Sequence, residues 1–376
     1  MEAKIIVAGD AVVSLKRNNE VAPNMVDQRL TEIIQGSAYS FVNFEAPVRT
    51  KYSKAIHKTG PNLSQSAKVI DALKDVGFSC FTLANNHFRD YGHDAIENTI
   101  TLLKAKDIDY LGGGENLSEA SKILYKRLNG INIAFINVCE QEWSIATDQR
   151  AGSNPVQALT QYYQIQEAKQ LSDFVILIHH GGVEHYNLPS PELKQLHRFF
   201  IDAGADAVIN HHQHCFSGFE TYKGKPIFYG LGNFLFDSPR KCNDSWNYGY
   251  LVELTLDNET KEVAFEIHPY EQCNDKFGVY YRSDLKAFEE EIERLNAIIA
   301  DDTLLRNSWS DYMSNHRSFY TQAISPYRLR IFNKLFRMKL LPSFISKFQL
   351  SYIYDVISCD SHRTRFLDFL EHKISK

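Results

Sequence analysis

Six short stretches place oxygen- and imidazole-bearing side chains directly after apolar runs: Gly9-Asp10, Asn43-Phe44-Glu45, Asn85-Asn86-His87, His179-His180-Gly181-Gly182, His211-His212-Gln213-His214 and Gly232-Asn233. Carboxylate, amide and imidazole donors together suit Mn²⁺, Fe²⁺ or Zn²⁺ better than Ca²⁺. One or two such ions, held where several loops meet, are a common means of activating water for hydrolysis. Each stretch taken singly has a plain structural explanation. Asp10 could cap a helix, Glu45 before Pro47 could be a loop charge, Asn85-Asn86-His87 could be a polar turn, and His211 could be a core histidine. A series of them, each closing an apolar run, is hard to obtain by chance.

Local spacing refines the candidates. Successive strand residues face opposite sides, so only one of His179 and His180 faces a site, while His212 and His214 share a side of an extended segment. Asp90 lies three residues after His87 and is placed to orient it, which would fit His87 as a proton donor beside a bound water. Gly181 and Gly182 allow close backbone approach, and Glu184 and His185 follow near enough to support the site. Gly230 and Gly232 favour a tight turn from which Asn233 could fix a ligand loop.

The elements that must position these residues alternate. Strands are expected at Ile5–Ala8, Tyr39–Asn43, Cys80–Leu83, Ile131–Asn137, Phe174–Ile178, Ala207–Ile209 and Ile227–Tyr229. Helical apolar spacing falls between them at Asn24–Gln35, Ser66–Val76, His93–Lys106, Gln157–Leu171 and Pro191–Ala203. This is the pattern of an α/β domain with its site at the carboxyl ends of the strands. Tyr248–Leu256 and Glu262–His268 read as an antiparallel pair closing one edge. The texture changes after about Asp275. Arg282–Ile299 is strongly helical, and Met313 to Tyr354 holds no Asp or Glu but carries Arg317, Arg328, Arg330, Lys334, Arg337, Lys339 and Lys347 among aromatic and aliphatic residues. The expected division is an α/β domain over 1–275 and a basic, mainly helical extension over 276–376.

Composition sets outer limits. A chain of 376 residues with 44% hydrophobic and 23% charged residues is ordinary for a soluble globular protein. A net charge of −5 argues against a dedicated nucleic-acid binder. Cys80, Cys139, Cys215, Cys242, Cys273 and Cys359 are scattered singly, which reads as reduced and intracellular. No apolar run reaches the ~18 residues of a membrane span, so a cytoplasmic protein is expected.

With these motifs in place, the sequence resembles the CapA-like family, the capsule and poly-γ-glutamate synthesis proteins, distant relatives of the calcineurin-like metallophosphoesterases. The resemblance runs from about Lys4 to Asp237. It rests on the stretches above together with Asp90-Tyr91-Gly92, Gly112-Gly113-Gly114, Val183-Glu184 and Leu231-Gly232-Asn233-Phe234. It implies a four-layer α/β sandwich of two mixed sheets flanked by helices. By position, Asp10, Glu45, Asn86, His180, His212 and His214 resemble metal ligands, and His87 with Asp90 resembles the catalytic pair. Lys58, Asn85 and Asn233 are candidate substrate contacts. Departures are Val12 and Glu45, where the phosphoesterases usually carry His and Asp, and Gly181, Asn210 and Gln213, where the family usually carries Trp, Gly and Pro.

The resemblance implies metal-dependent hydrolysis of a phosphoester or of a bond in an anionic polymer, within capsule or polyglutamate synthesis. The competing expectation is a non-catalytic accessory factor that binds an anionic polymer or a lipid-linked phosphate. Its basic C-terminal stretch would then lie on the inner face of the membrane or against a biosynthetic partner.

Overall fold

The computed structural model describes residues 1–237, 243–320, 325, 327, 329–338, 340–342 and 344–374. Cys242, Arg328 and Lys339, singled out above, lie outside the described residues. The chain forms two compact units, Met1–Arg306 and Asn307–Lys376.

The first unit is built on two mixed sheets. One contains β1 (Glu2–Val12), β2 (Tyr39–Phe44), β3 (Cys80–Thr82) and β4 (Asp109–Leu111), with the pair β5 (Gly113–Gly114) and β8 (Gly152–Ser153) as a separate small ladder. The second contains β6 (Leu124–Leu128), β7 (Ile131–Cys139), β9 (Phe174–His180), β10 (Ala207–His211), β11 (Phe219–Tyr222) and β12 (Lys225–Phe228). The chain then returns to the first sheet through β13 (Asn233–Phe236), β14 (Tyr248–Asp257), β15 (Val263–Gln272) and β16 (Val279–Tyr281). The first sheet has the order β16-β15-β14-β1-β2-β3-β4, with β13 also pairing β1, and the second has the order β11-β12-β10-β9-β7-β6. β1 to β4 run parallel, as do β7, β9, β10 and β12, while β14, β15 and β16 form an antiparallel edge.

The sheets pack face to face through aromatic side chains. The Phe41 and Phe135 rings lie 4.7 Å apart, and Phe228 meets Phe265 at 5.1 Å. Helices α1 (Gln28–Gln35), α2 (Ala67–Val76) and α3 (Gly92–Ala105) bury Leu30, Ile34, Ile70, Leu73, Ile96 and Leu103 in the same core cluster as Ile6, Val42 and Phe81 of the first sheet. After the short α4 (Leu117–Ala120), α5 (Ala158–Leu171) and α6 (Pro191–Asp202) pack against strands of the second sheet. The result is the four-layer sandwich expected from the resemblance.

The antiparallel edge pair is present, and α7 (Leu285–Ala300) packs against β11, so the expected division after residue 275 falls inside the first unit. Helix α8 (Asp302–Tyr320) follows, and the second unit also holds α9 (Arg330–Arg337), α10 (Lys347–Ser358) and α11 (Asp360–Ile374). Among the described residues, no helix is long and apolar enough to cross a membrane, and Cys80, Cys139, Cys215, Cys273 and Cys359 are free thiols.

Asp10 was expected just after the first strand; it lies inside β1, at an irregularity. The register with β2 shifts between Ala8 and Asp10, and that with β13 shifts between Asp10 and Ala11. Gly9 makes this possible, because a Cβ there would stand 1.8 Å from the Gly232 carbonyl oxygen. An irregularity of this kind re-aims a side chain without ending the strand. Gly9→Val should therefore destabilise the fold by about 1–3 kcal/mol or more, read as a lowered midpoint in thermal or urea unfolding.

Candidate metal centre

The strand ends bring the distant motifs into one buried cluster. β1 pairs with β2 on one side and β13 on the other, aligning Asp10 with Asn43 and Asn233. β9 and β10 are parallel neighbours, with His180 opposite His211. Beyond β10 the chain does not stay extended as expected: His212 has φ +88° and His214 φ +54°. Left-handed backbone is costly away from glycine, and here it turns both imidazoles into the cluster. Asp10, Glu45, Asn86, His180, His211, His212 and His214 are all buried.

Four overlapping groups have ligand atoms mutually within 4.8 Å: Asp10 with His180 and His211, Glu45 with His180 and His212, Asp10 with Glu45 and His214, and Glu184 with His212 and His214. His180 Nε2 lies 3.2 Å from Asn86 Oδ1, 3.0 Å from His212 Nδ1 and 3.5 Å from Glu45 Oε1. Thus all six ligands expected from the resemblance meet in one place. Neither Glu45 oxygen accepts a hydrogen bond, although the side chain is wholly buried. An unpaired buried carboxylate is strongly unfavourable unless a cation or a proton neutralises it. The mixed oxygen and nitrogen donors fit a divalent transition metal, so these residues suit the ion that the resemblance implies.

Electrostatics support the same reading. Burial, then the nearby Asp10, pushes the Glu45 carboxyl well above its usual range. Burial opposes charge on His214 too, but Glu45, Asp10 and Glu184 outweigh it and raise that imidazole to about 10. Burial would also raise Asp10, yet His214, His211 and the Asn43 amide hold it below its usual value. Burial and neighbouring imidazoles push His180 well down and His212 down to about 4. In the metal-free cluster, positive charge on His214 thus stands among the buried carboxylates where a cation would.

Several supporting residues hold this arrangement. Asn43 Nδ2 donates to Asp10 Oδ1 at 2.7 Å and lies 3.1 Å from His180 Nδ1. Asn233 Oδ1 is 2.9 Å from His214 Nδ1, and its amide nitrogen donates to the His214 and Trp246 carbonyls. Trp246 lies against the His214 ring at 4.8 Å. Asn85 Nδ2 donates to the Phe44 carbonyl at 3.1 Å, and its Oδ1 accepts from the His87 backbone N–H at 3.2 Å. His87 Nδ1 is 2.6 Å from Asp90 Oδ2, and Lys58 Nζ is 2.5 Å from Asp90 Oδ1. Asn85, Asn233 and Lys58, expected as substrate contacts, therefore each engage protein groups: the first two brace strand exits and the third neutralises Asp90. His179 turns to the opposite face, where it meets His197 at 3.1 Å.

Sequence reasoning gave Asn43 no role of its own within its stretch and left His211 open to a core role. The signal for both was strand register, since Asn43 sits opposite Asp10 and His211 opposite His180. Glu184, read as a supporting residue, is exposed and within ligand range of His212 and His214.

Fold and site together define a two-sheet α/β sandwich with a divalent-metal type of donor cluster at its strand ends. The sequence model of the bacterial capsule synthesis protein PGA_cap family matches residues 4–238, and the chain belongs to that family. Among similar proteins, the capsule biosynthesis protein CapA of Bacillus anthracis is 36% identical over 227 residues, which cover 58% of this chain and 55% of that protein. The PGA biosynthesis protein CapA of Bacillus subtilis (strain 168) is 34% identical over 228 residues, covering 59% of each. The chain thus spans between half and three-fifths of the length of these relatives. Among solved structures, a phosphatase from Mycoplasma pneumoniae aligns with a TM-score of 0.47 at 17% identity, covering 73% of this chain and 95% of that one. A 5'-nucleotidase precursor from Thermus thermophilus aligns at 0.44 and 13% identity, covering 80% of this chain and 59% of that one.

Because a proton on His214 competes with a cation, Mn²⁺ binding should release protons at neutral pH and weaken as the pH falls. Calorimetric titration at two pH values, in buffers of different ionisation enthalpy, measures both effects. Asn43→Ala should weaken Mn²⁺ binding by about 10–100-fold, the usual effect of losing a group that orients a ligand.

Proposed function

We propose that the protein is a metal-dependent hydrolase that cleaves a phosphoester or a bond of an anionic polymer during capsule or polyglutamate synthesis. The observation that carries this reading is Glu45: a buried carboxylate without a hydrogen-bond donor, ringed by imidazoles from β9 and the loop after β10. Mn²⁺, Fe²⁺ or Zn²⁺, one ion or two, held by Asp10, Glu45, Asn86, His180, His212 and His214 would supply an acidified water and polarise a phosphoryl or carbonyl oxygen. Of the protein groups, Asp90 fixes His87 through Nδ1, leaving Nε2 to exchange a proton with a leaving group. Lys58 balances the Asp90 charge, so that the imidazole is oriented without an uncompensated carboxylate beside it. Burial of the cluster keeps bulk water from competing for the same donors.

Metal analysis after Mn²⁺ loading, with turnover of a generic phosphodiester and monoester, tests this proposal. Stoichiometric metal is expected. His212→Ala should abolish turnover and lower metal content, whereas His87→Gln should keep the metal and lower kcat by about 10²–10⁴-fold. Metal without turnover on either ester would leave the polymer bond as the substrate to assay. Failure to bind metal would sink the reading.

The second reading, an accessory factor bound at an anionic membrane surface, draws on the C-terminal unit. Residues 307–376 hold eleven Lys and Arg against five Asp and Glu, in a chain of net charge −5. Arg330, Lys334 and Arg337 fall on one side of α9, and Phe344 and Phe348 are 70% and 79% exposed. Cations together with exposed aromatic groups suit the interface of an anionic bilayer. The full chain should float with anionic vesicles at low salt and not with zwitterionic ones. Reversing Arg330, Lys334 and Arg337 to Glu should abolish flotation.

A further inference from the structure

After Leu83, whose N–H donates to the Leu111 carbonyl at 2.9 Å, the turn that carries Asn86 and His87 leaves its sheet. Its next backbone groups are satisfied by side chains of residues 137–153, a segment distant in sequence. The Ala84 N–H donates to Asn137 Oδ1 at 2.8 Å. The Asn85 N–H donates to Ser153 Oγ at 3.3 Å, and that hydroxyl donates to the Asn85 carbonyl at 2.8 Å. The Ser144 hydroxyl donates to the Asn86 carbonyl at 2.6 Å and accepts from the Arg89 N–H at 3.1 Å. Asn137, Ser144 and Ser153 are all buried. Buried backbone groups require partners, and here three side chains of one distant segment supply them.

That segment is seated on Gly112-Gly113-Gly114, a stretch with no side chain to offer chemistry. β8 pairs with β5 there, Ser153 opposite Gly113. A Cβ on Gly112 would stand 2.0 Å from Asn137 Oδ1, and one on Gly113 would stand 2.6 Å from the Phe88 ring. The glycines thus let Asn137 and Phe88 close on the turn. Asn137 also donates through Nδ2 to the Ile178 carbonyl at 3.1 Å, two residues before His180. One side chain therefore ties the turn after β3, in the first sheet, to β9, in the second.

These bonds act on a side chain because of where they fall. The peptide planes before and after the Asn86 Cα carry the Asn85 and Asn86 carbonyls. Planar peptides leave two soft dihedrals per residue, so holding both planes fixes the direction of the Asn86 Cβ. Its Oδ1 then stands 3.2 Å from His180 Nε2, within the cluster. We infer that residues 137–153 form a positioning cradle for the Asn86 oxygen, with Ser144 as the positioning residue that fixes its reach. The inference rests on the function proposed above only in taking Asn86 to hold a cation. Ser144 acts through Asn86 and not on substrate. Without its hydroxyl, the Asn86 carbonyl and the Arg89 N–H would be left unpaired in the interior, and the peptide plane would be released to turn. The imidazole and carboxylate donors would stay where their own strands hold them.

Mn²⁺ binding by the full chain, read from the EPR signal of the free ion, tests this in a double-mutant cycle. Ser144→Ala should bind Mn²⁺ about tenfold more weakly than wild type or worse, the usual scale for losing a group that orients a ligand. In an Asn86→Ala background, where no oxygen is left to position, the same substitution should change affinity by about twofold at most. A truncation that merely loosened the fold would weaken binding equally in both backgrounds. Ser153→Ala, which releases the preceding peptide plane, should repeat the pattern, and it decides the matter if Ser144→Ala does not fold. Equal loss in the two backgrounds, wild-type affinity in both serine variants, or no Mn²⁺ binding by wild type would each overturn the inference. Turnover enters none of these readings. A non-additive cycle in a protein that binds Mn²⁺ without turnover upholds the cradle whatever becomes of the hydrolase. Turnover with an additive cycle rejects the cradle alone.

Discussion

Two buried carboxylates, Asp10 and Glu45, set the terms for this fold. Placing both in the interior is unfavourable unless positive charge lies among them, and the cluster supplies it through His214 and an arrangement of donors suited to a cation. Asp10 is partly compensated by Asn43 and by the His212 backbone N–H at 3.2 Å. Glu45 has no such compensation. The difference between the two leaves Glu45 as the carboxylate whose charge a cation would balance.

That constraint propagates outward. Gly9 must lack a side chain so that Asp10 can sit at an irregularity between β2 and β13. His212 and His214 must adopt left-handed backbone to face inward. Asn233 of the first sheet and Trp246, in the turn just before β14, clamp His214, so the two sheets are joined through the site as well as through the Phe41–Phe135 contact. Strain at the loop after β10 is tolerable because strands and aromatic rings on both sides hold it.

The Lys58, His87 and Asp90 group is organised differently. Asp90 uses one oxygen for each partner, so the carboxylate is neutralised within the protein while the imidazole keeps one ring nitrogen outside that contact. A histidine held this way keeps one ring nitrogen for proton exchange, whereas His180 and His212, driven down by burial and neighbouring imidazoles, suit neutral ligation, and His214 is held charged by the carboxylates around it. One site thus holds imidazoles in two different surroundings.

The alternation of strands and helices, the placement of six donor-bearing stretches at strand exits and the basic texture of the C-terminal region were all legible in the sequence. They depend on local periodicity and residue type. The candidate donors Asp10, Glu45, Asn86, His180, His212 and His214, implied by the resemblance, stand at strand exits or at an irregularity near one, and the structure brings them together. The resemblance brought out by those motifs supplied the layered architecture. Packing, in contrast, settled which polar groups are spent on the protein itself. Asn233 and Asn85 brace the strand exits, Lys58 binds Asp90, and Asn43 and His211 join the cluster through register with β1 and β9. Those pairings join residues tens to hundreds of positions apart, so no local spacing encodes them. They follow from how two sheets align their strand ends, which is a property of the packed core and not of any one segment.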